Sequence, residues 1–307
     1  MQRLRSRPGQ RRRPTDGRGG LVLIMTVLVL AVVALVGYAF SYAAGVSRRT
    51  ALNARDGFRR GRAVESALQY ALAMLQEDAE ENGFDSLDEL WAEPEHSIKI
   101  GGVTCVFRIR DEDRLLNVNR AARNPRDSRV YPDLRPALYR AVLQAGGGDQ
   151  DYRALRQWVA GREPVLRASE VLQAPVVTPD LFVEGPDKPS LLRLLTSHPL
   201  RVNVNTAPRE VLNSLWSDDQ VTARLLKRRE EQPFETREDL EAFLTMLDAP
   251  QLVRQLVPAL DVASRYFMVR VRGSHPGMVT ALTAFVRREE TTVSVLYVSR
   301  AIEEEQS

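Results

Sequence analysis

The chain has 307 residues, of which 44% are hydrophobic and 27% are charged, a composition typical of globular proteins and unlike that of disordered ones. Its net charge is +3, but seven arginines against one aspartate precede Leu21, so the rest of the chain is slightly acidic. The net charge therefore gives no indication of a nucleic-acid partner. Cys105 is the only cysteine, which excludes an intramolecular disulfide, and its alternating surroundings predict a small buried side chain.

An uncharged apolar run extends from Leu21 to Ala44. A helix of this length can cross a hydrocarbon core of about 30 Å, which predicts one transmembrane span. Arginines precede the run, and positively charged flanks stay cytoplasmic, so we expect the chain after Val46 to face the periplasm. Three interpretations compete for this segment: a plain signal anchor, a cleaved secretory signal and a prepilin-type leader.

Two features favour the leader. The run is long for the apolar region of a cleaved signal, although Ser41 and Ala43 could serve as the small residues before a cut. The tripeptide Arg18-Gly19-Gly20 directly precedes the run and resembles the site that a prepilin peptidase reads. This resemblance implies cleavage after Gly20 and an N-methylated mature N-terminus at Leu21.

Met25 occupies the fifth position of that mature chain, where most pilin-like proteins carry a glutamate. In a filament the glutamate can neutralise the terminal ammonium of the subunit ahead, whereas an unpaired buried carboxylate is costly. A subunit with nothing ahead of it gains nothing from the glutamate, so Met25 indicates a tip position. The alternative is a membrane helix unrelated to pilins, which has no reason to carry a glutamate there.

The pattern beyond the span predicts an α+β protein. Apolar residues recur at helical spacing from Ala63 to Leu75, and Asn82-Gly83 is a reasonable helix end. Residues 97–111 alternate around Gly101-Gly102, which predicts a hairpin. Three further strands, with turns at Gly273–Gly277 and Arg288–Glu290, are predicted at Tyr266–Arg272, Met278–Arg287 and Thr292–Arg300. One antiparallel sheet is thus interrupted by a helical insert from about Leu115 to Leu260.

The insert contains a short internal repeat, called the echo below, in which Leu116–Ala121 matches Val202–Ala207. Each copy is predicted to be an extended stretch that leads into a helix. Residues 202–244 resemble the helix-hairpin-helix module of DNA-binding competence proteins. Its predicted helix starts are an N-cap at Thr206, a capping box from Ser217 to Gln220 and a start at Thr236.

Nucleic-acid binding by such a module needs a glycine-rich hairpin whose amides reach phosphates. The hairpin at Leu215–Gln220 has no glycine and carries Asp218 and Asp219. The basic run Lys227–Arg229 is followed at once by Glu230 and Glu231, which indicates a solvated helix end. We predict a scaffold for protein contact and no nucleic-acid partner; a membrane-anchored DNA-uptake protein is the alternative function.

These motifs, together with Leu155–Trp158, Val171–Phe182 and the closing strands, resemble the K-type minor pseudopilin family of the bacterial type II secretion system. The family fold is a pilin-like domain interrupted by a helical domain. On this resemblance the chain divides into a basic leader (1–20), a transmembrane helix (21–45), a pilin-like helix with the first strands (46–114), a helical insert (115–260) containing the helix-hairpin-helix or SAM-like module (202–247), and C-terminal strands that complete the sheet (261–307).

The resemblance implies a function in protein secretion. A K-type protein caps the tip of the pseudopilus and helps to initiate its assembly, for export of folded periplasmic proteins across the outer membrane. The implied partners are the other minor pseudopilins (I, J and H types), the pseudopilus, the prepilin peptidase and the inner membrane, with the C-terminal domain in the periplasm.

Neither catalysis nor a cofactor is predicted. His96, His198 and His275 lie far apart, and none has ligand spacing with another histidine or Cys105. K-type proteins are associated with calcium, which keeps that ion as a possibility of the resemblance. However, neither Asp111-Glu112-Asp113 nor Asp149–Asp151 has the spacing of an EF-hand, so we predict solvated turns and no metal.

Overall fold

The computed structural model describes residues 17–123, 132–175, 177–216, 218–247, 255–275 and 278–304. It contains two compact units, one ending at Phe58 and the other beginning at Arg59. The first element, α1 (Gly17–Glu81), has 65 residues and contains no proline that would break it. It ends at the predicted position, where the Asn82 amide donates to the Asp78 carbonyl at 2.9 Å.

In the first unit, the apolar side chains of α1 are exposed, as in Leu21 (62%) and Phe40 (75%). Among the described residues α1 alone is long and apolar enough to cross a membrane. Because the apolar stretch lacks protein contacts that would bury it, the finding supports a single-pass membrane anchor.

In the second unit, strands β1 (His96–Ile100) and β2 (Val103–Asp111) pair antiparallel. Gly101 and Gly102 join them with φ values of +56° and +84°, a backbone region that glycine adopts without strain. The predicted hairpin is confirmed.

The insert is helical, as predicted, and contains two very short parallel sheets in which β3 pairs with β4 and β5 with β6. Its elements are β3 (Leu116–Asn117), α2 (Val118–Ala122), α3 (Arg135–Gln144), α4 (Asp149–Ala160), β4 (Leu195–Thr196), β5 (Val202–Asn203), α5 (Arg209–Leu215), α6 (Asp219–Glu231), α7 (Arg237–Met246) and β6 (Leu260–Asp261). Both halves of the internal echo are therefore short strands that lead towards a helix.

The chain then returns to the first sheet with β7 (Tyr266–His275), β8 (Met278–Glu289) and β9 (Thr292–Glu304). The five-stranded sheet has the order β1-β2-β7-β8-β9 and is antiparallel throughout. This arrangement confirms the α+β fold in which a helical insert interrupts the sheet. The predicted turn at Gly273–Gly277 includes Pro276 and Gly277, which lie outside the described residues.

Each part of the second unit has its own apolar core. In one, the C-terminal part of α1 packs on the sheet through the predicted helical face, and Cys105 is fully buried as predicted. The residues of α1 in this core are Ala63, Val64, Ala67, Leu68, Ala71, Leu72 and Leu75. The other core lies within the insert and is the larger.

α1 packs closely on the sheet at Gly273 in β7, because a Cβ built there would lie 2.5 Å from Val64 Cγ2 and 3.4 Å from Val103 Cγ1. Gly273→Ala should therefore lower the free energy of unfolding by about 1–3 kcal/mol through overpacking. The matched control is Gly83→Ala, where nothing lies within 4 Å of the new methyl group. Denaturant titration measures both; equal stability of the two variants would contradict the close packing.

Two of the predicted helix starts are wrong. Thr206 does not cap α5, whose N-cap is Pro208, because the Thr206 hydroxyl instead donates to Asp111. Asp218 caps α6 by accepting from the amides of Gln220 and Val221, where a capping box from Ser217 was predicted, and Ser217 lies outside the described residues. The start at Thr236 is confirmed, since its hydroxyl accepts from the Asp239 amide at 3.1 Å.

Candidate functional site

The acidic run Asp111-Glu112-Asp113 at the end of β2 is buried between the sheet and the insert. The three residues are 1%, 4% and 5% exposed, so the predicted solvated turn is wrong. Burial here comes from the insert, which folds back over the end of β2. The run is therefore the first part of a polar junction between the two cores of the second unit.

Hydrogen bonds from distant segments satisfy these carboxylates. Asp111 accepts from the hydroxyls of Thr206 and Ser264, the latter at 2.7 Å. Asp113 Oδ2 accepts from the amides of Arg265 and Tyr266 at 2.9 and 2.7 Å. Buried polar groups need such partners, and these partners come from the insert and from the segment entering β7.

The asparagines of the internal echo have structural roles in the junction. Asn203 Nδ2 donates to the Asp85 carbonyl at 3.1 Å and to Ser264 Oγ at 2.8 Å. Asn205 Nδ2 donates to the Phe234 carbonyl, and its Oδ1 accepts from the Phe234 amide, both at 2.9 Å. The second echo therefore joins the segment that follows α1, the segment that enters β7 and the α6–α7 connection, which explains why amide side chains are needed there.

Arg288, which the sequence assigned to a turn, lies in β8 and is 7% exposed. Its Nη2 contacts Asp85 Oδ1 at 2.5 Å and Oδ2 at 2.6 Å, and its Nη1 contacts Asp78 Oδ2 at 2.8 Å. Nη2 also donates to the Ser264 carbonyl at 3.0 Å. One guanidinium thus connects the end of α1, the sheet and the segment that enters β7.

Burial dominates the electrostatics of the junction. It raises the pKa of Asp85 to about 7, against the charge of Arg288, which lowers it. Burial, and then the charge of Asp111, raises the pKa of Asp113 well above its ordinary value. Arg288 remains the cation of the junction because the charges of Asp85 and Asp78 overcome its desolvation and raise its pKa.

Asp78, Asp85 and Glu89 bring carboxylate oxygens within 4.8 Å of one another. Such a group could hold a cation, but Arg288 already bonds to Asp78 and Asp85. The remaining acid, Glu89, accepts from Trp91 Nε1 at 2.5 Å. The arrangement therefore fits an arginine-neutralised cluster better than a calcium site, which needs six or more converging oxygens.

The second acidic pair, Asp149 and Asp151, lies in the first turn of α4. Asp149 is ion-paired with Arg153 at 2.5 Å, and Asp151 accepts from the Gly148 amide at 3.0 Å. These carboxylates complement the positive end of the helix. The sequence predicted a solvated turn here; the structure has the start of a helix, with Asp149 exposed and Asp151 half-buried.

The hairpin of the module has two of its backbone amides bonded to a side chain. Asp218 accepts from the Gln220 and Val221 amides of α6, and the Trp216 ring is buried with its Nε1 donating to Thr222 at 2.9 Å. Arg229 is not part of a solvated helix end, since its Nη1 donates to the carbonyls of Val204 and Ala207 at 2.8 and 2.6 Å. Amides that are bonded to a carboxylate are not available to phosphates; the scaffold role of the module stays a prediction.

The histidines and the cysteine that were considered as metal ligands or nucleophiles do not form a common site among the described residues. His96 stacks on Phe107, with ring centroids 4.7 Å apart, whereas His198 lies 4.7 Å from Phe285. Burial raises the pKa of the Cys105 thiol, which makes it a poorer nucleophile. The side chain of His275 lies outside the described residues.

The processing and tip residues lie in the first unit. Gly20, Leu21 and Met25 are in the first turns of α1, and Met25 is 63% exposed. A side chain at position 20 would contact no other described atom, since nothing lies within 4 Å of a Cβ built on Gly20. The roles of these three residues stay predictions.

An apolar N-terminal helix, a five-stranded antiparallel sheet and a helical insert joined to it through a buried polar junction define a membrane-anchored, pilin-like protein. Residues 202–262 match the family model of the type II secretion system (T2SS), protein K. The matched segment begins with the second echo and ends beyond β6, so it lies in the insert. No curated protein matches the sequence.

The fold is similar to that of a chain in the crystal structure of the GspK-GspI-GspJ complex from the enterotoxigenic Escherichia coli type 2 secretion system. The TM-score is 0.65 at 15% sequence identity, over 80% of this chain and 97% of that chain. The two matches support the recognition of the chain as a protein similar to T2SS protein K. Protein K is a structural pseudopilin component and not an enzyme, in agreement with the prediction.

Proposed function

We propose that the protein is a minor pseudopilin of the type II secretion system that caps the pseudopilus tip and helps to initiate its assembly. The observation that carries the proposal is the T2SS protein K match at residues 202–262, within an insert that interrupts a pilin-like sheet. A fold shared with a chain of the GspK-GspI-GspJ complex supports it. The function is export of folded periplasmic proteins across the outer membrane.

The tip position rests on two physical arguments. Met25 supplies no carboxylate for the terminal ammonium of a subunit ahead, so the protein suits an end better than the interior of a filament. The insert adds a second apolar core to the pilin-like one, and such bulk cannot repeat along a tightly packed shaft.

Within this proposal the chain keeps its five sequence segments: a leader (1–20), a span (21–45), a pilin-like part (46–114), an insert (115–260) and closing strands (261–307). The span anchors it in the inner membrane, with everything after Val46 in the periplasm. Its partners are the I-, J- and H-type minor pseudopilins, the pseudopilus and the prepilin peptidase.

Co-purification from membranes tests the function. Tagged full-length protein, extracted in mild detergent, should recover the other minor pseudopilins encoded in the same cell. As a matched control, an unrelated single-pass protein with the same tag and expression level should recover none. Recovery of no pseudopilin by the tagged protein would reject the proposal, and recovery of DNA in their place would favour the DNA-uptake alternative.

The leader gives a separate prediction. Intact-mass analysis of protein from cells that contain a prepilin peptidase should show loss of residues 1–20 and a gain of one methyl group at Leu21. Gly20→Leu should block cleavage, because the bulky side chain does not fit a site read for glycine. The control Gly37→Leu, a glycine inside the apolar run, should be processed normally; a full-length wild-type mass would contradict the leader.

A further inference from the structure

A cleft runs across the outside of the polar junction. One cavity of about 580 Å³ lies between residues 184–189 and the end of β2, and a second of about 320 Å³ lies beside the short helix at Leu90–Ala92. Arg110, Arg114 and Arg193 line both cavities. Three guanidinium groups therefore occupy the boundary between two adjoining cavities.

Arg114 differs from its two neighbours in this cleft. Arg110 is ion-paired with Glu112 at 2.7 Å, and Arg193 is ion-paired with Glu184. Within the described part of the chain, Arg114 makes no hydrogen bond or ion pair. Its side chain therefore lines both cavities without being bonded to any of the described acceptors around it.

The carboxylates nearest to Arg114 are already bonded elsewhere. Asp111 accepts from Thr206 and Ser264, and Glu112 accepts from Arg110 and Thr196. They favour the charged form of Arg114 without contributing a direct contact. An incoming acceptor would therefore not need to displace an existing ion pair of Arg114.

Two other guanidinium groups repel Arg114. Burial lowers the pKa of Arg114, and the charges of Arg110 and Arg193 lower it further, against those of Asp111 and Glu112, which raise it. Burial, and then the charge of Arg114, lowers the pKa of Arg229 to about 10. An anion beside Arg114 would relieve this repulsion, since like charges in a partly desolvated site interact strongly.

The rest of the lining restricts the kind of anion. Glu184, Asp187 and Glu210 also line the larger cavity and disfavour a multiply charged ligand. Its fourth cation, Lys188, is already ion-paired with Asp180. Its apolar lining residues are Leu115, Leu194, Pro186, Pro189 and Pro208. A guanidinium binds a carboxylate with two parallel hydrogen bonds, and the apolar residues suit a short aliphatic body attached to it.

We propose that the cleft at Arg110, Arg114 and Arg193 is a binding site for a singly charged carboxylate with a small apolar body, held chiefly by Arg114. The cavity volumes are within the range of small-ligand sites. Such a carboxylate could belong to a free small molecule or to the C-terminus of a peptide segment.

Saturation-transfer NMR with the full chain in uncharged detergent micelles tests the proposal at constant ionic strength. The probes are butyrate for a free carboxylate, N-acetyl-leucine for a peptide terminus, and N-acetyl-leucinamide, which lacks the carboxylate. One or both carboxylates should bind, and the one with the lower Kd identifies the source. The amide should bind at least tenfold more weakly, and inorganic phosphate, which has no carbon-bound proton to observe, should fail to displace the bound carboxylate at a tenfold higher concentration. No carboxylate binding up to about 10 mM, or equal binding of the amide, would overturn the site.

Substitutions locate the site. Arg114→Ala should raise the Kd of the bound carboxylate at least tenfold, and Arg114→Lys at least threefold because lysine lacks the planar fork. Arg224→Ala is the matched control, an exposed arginine of α6, and should leave the Kd unchanged. If thermal unfolding shows that Arg114→Ala is not folded, the Kd of Arg114→Lys is the test of the assignment. Wild-type affinity in the folded Arg114 variants would reject the assignment.

Discussion

Arg288→Met is expected to destabilise the second unit by about 3–5 kcal/mol, because it leaves buried carboxylates without their cation. Asp85 is fully buried and loses two contacts of 2.5 and 2.6 Å, and Asp78 loses one of 2.8 Å. Domains are stable by only about 5–15 kcal/mol. The thermal midpoint should therefore fall by about 10 °C or more, as measured by circular dichroism on the full chain in detergent.

The matched control is Arg300→Ala in β9. Arg300 pairs with Glu65 of α1 at 2.6 Å, but the two side chains are 62% and 36% exposed. Exposed pairs contribute about 0–1 kcal/mol, so this variant should unfold nearly like the wild type. Equal losses in the two variants would contradict the role of burial.

A double variant separates charge from packing. Asp85→Asn removes the carboxylate charge but keeps an oxygen for the Ser264 amide, which Asp85 Oδ2 accepts at 2.6 Å. In the Arg288→Met background, Asp85→Asn should therefore restore part of the lost stability, so the two effects should not be additive. Additive losses would mean that Arg288 acts through packing on the Phe267 ring, 4.8 Å away, rather than through charge.

The sequence predicted the elements whose cause is local. The hairpin follows from alternation around Gly101-Gly102, where both glycines adopt positive φ. The helical face from Ala63 to Leu75 follows from spacing alone, and its residues are buried against the sheet. The cap at Thr236 is likewise a contact between residues three positions apart.

The sequence could not predict the polar junction, because its contacts are between distant parts of the chain. Asp111 and Thr206 are 95 positions apart, and Arg288 and Asp85 are 203 apart. An acidic run or an arginine before two glutamates is ordinarily solvated, so Asp111–Asp113 and Arg288 were assigned to turns. The asparagine echo was visible, but its role requires the insert to be folded against the sheet.

The same contacts explain why Thr206 misled the prediction. A threonine followed by a proline is a common start for a helix, and the local pattern was favourable. Its hydroxyl instead donates to the carboxyl group of Asp111, a buried acceptor that needs hydrogen-bond partners. A tertiary contact thus replaced the local one.

The buried pair of acids also predicts how stability depends on pH. Burial and the charge of Asp111 raise the pKa of Asp113 well above its ordinary value of 3.8. Between these two pKa values the folded state holds a proton that the unfolded state has released. The stability that Asp113 contributes is therefore complete below pH 3.8 and is lost as the pH rises through the folded pKa. Denaturant titration should accordingly give a lower free energy of unfolding at pH 8 than at pH 5.

Asp113→Asn tests this dependence directly. Asp113 Oδ2 accepts from both the Arg265 and Tyr266 amides, and an asparagine Oδ1 in its place keeps both bonds while removing the charge beside Asp111. At pH 8 the variant should be more stable than the wild type by at least about 1 kcal/mol, since each unit of pKa shift corresponds to about 1.4 kcal/mol. Its stability should also change less between pH 5 and 8.

Asp113→Ala is the matched comparison, because it removes the charge together with the acceptor. It leaves the part-buried Arg265 and Tyr266 amides unpaired. An unpaired group costs about 1–3 kcal/mol when it is fully buried and less here, so Asp113→Ala should be less stable than Asp113→Asn at both pH values. Groups away from the junction titrate alike in all three proteins, and the difference between their pH slopes therefore belongs to Asp113 and the carboxylates facing it, Asp111 and Asp85. A wild-type slope in Asp113→Asn would contradict the raised pKa, because a carboxyl that is already ionised at pH 5 releases no proton before pH 8.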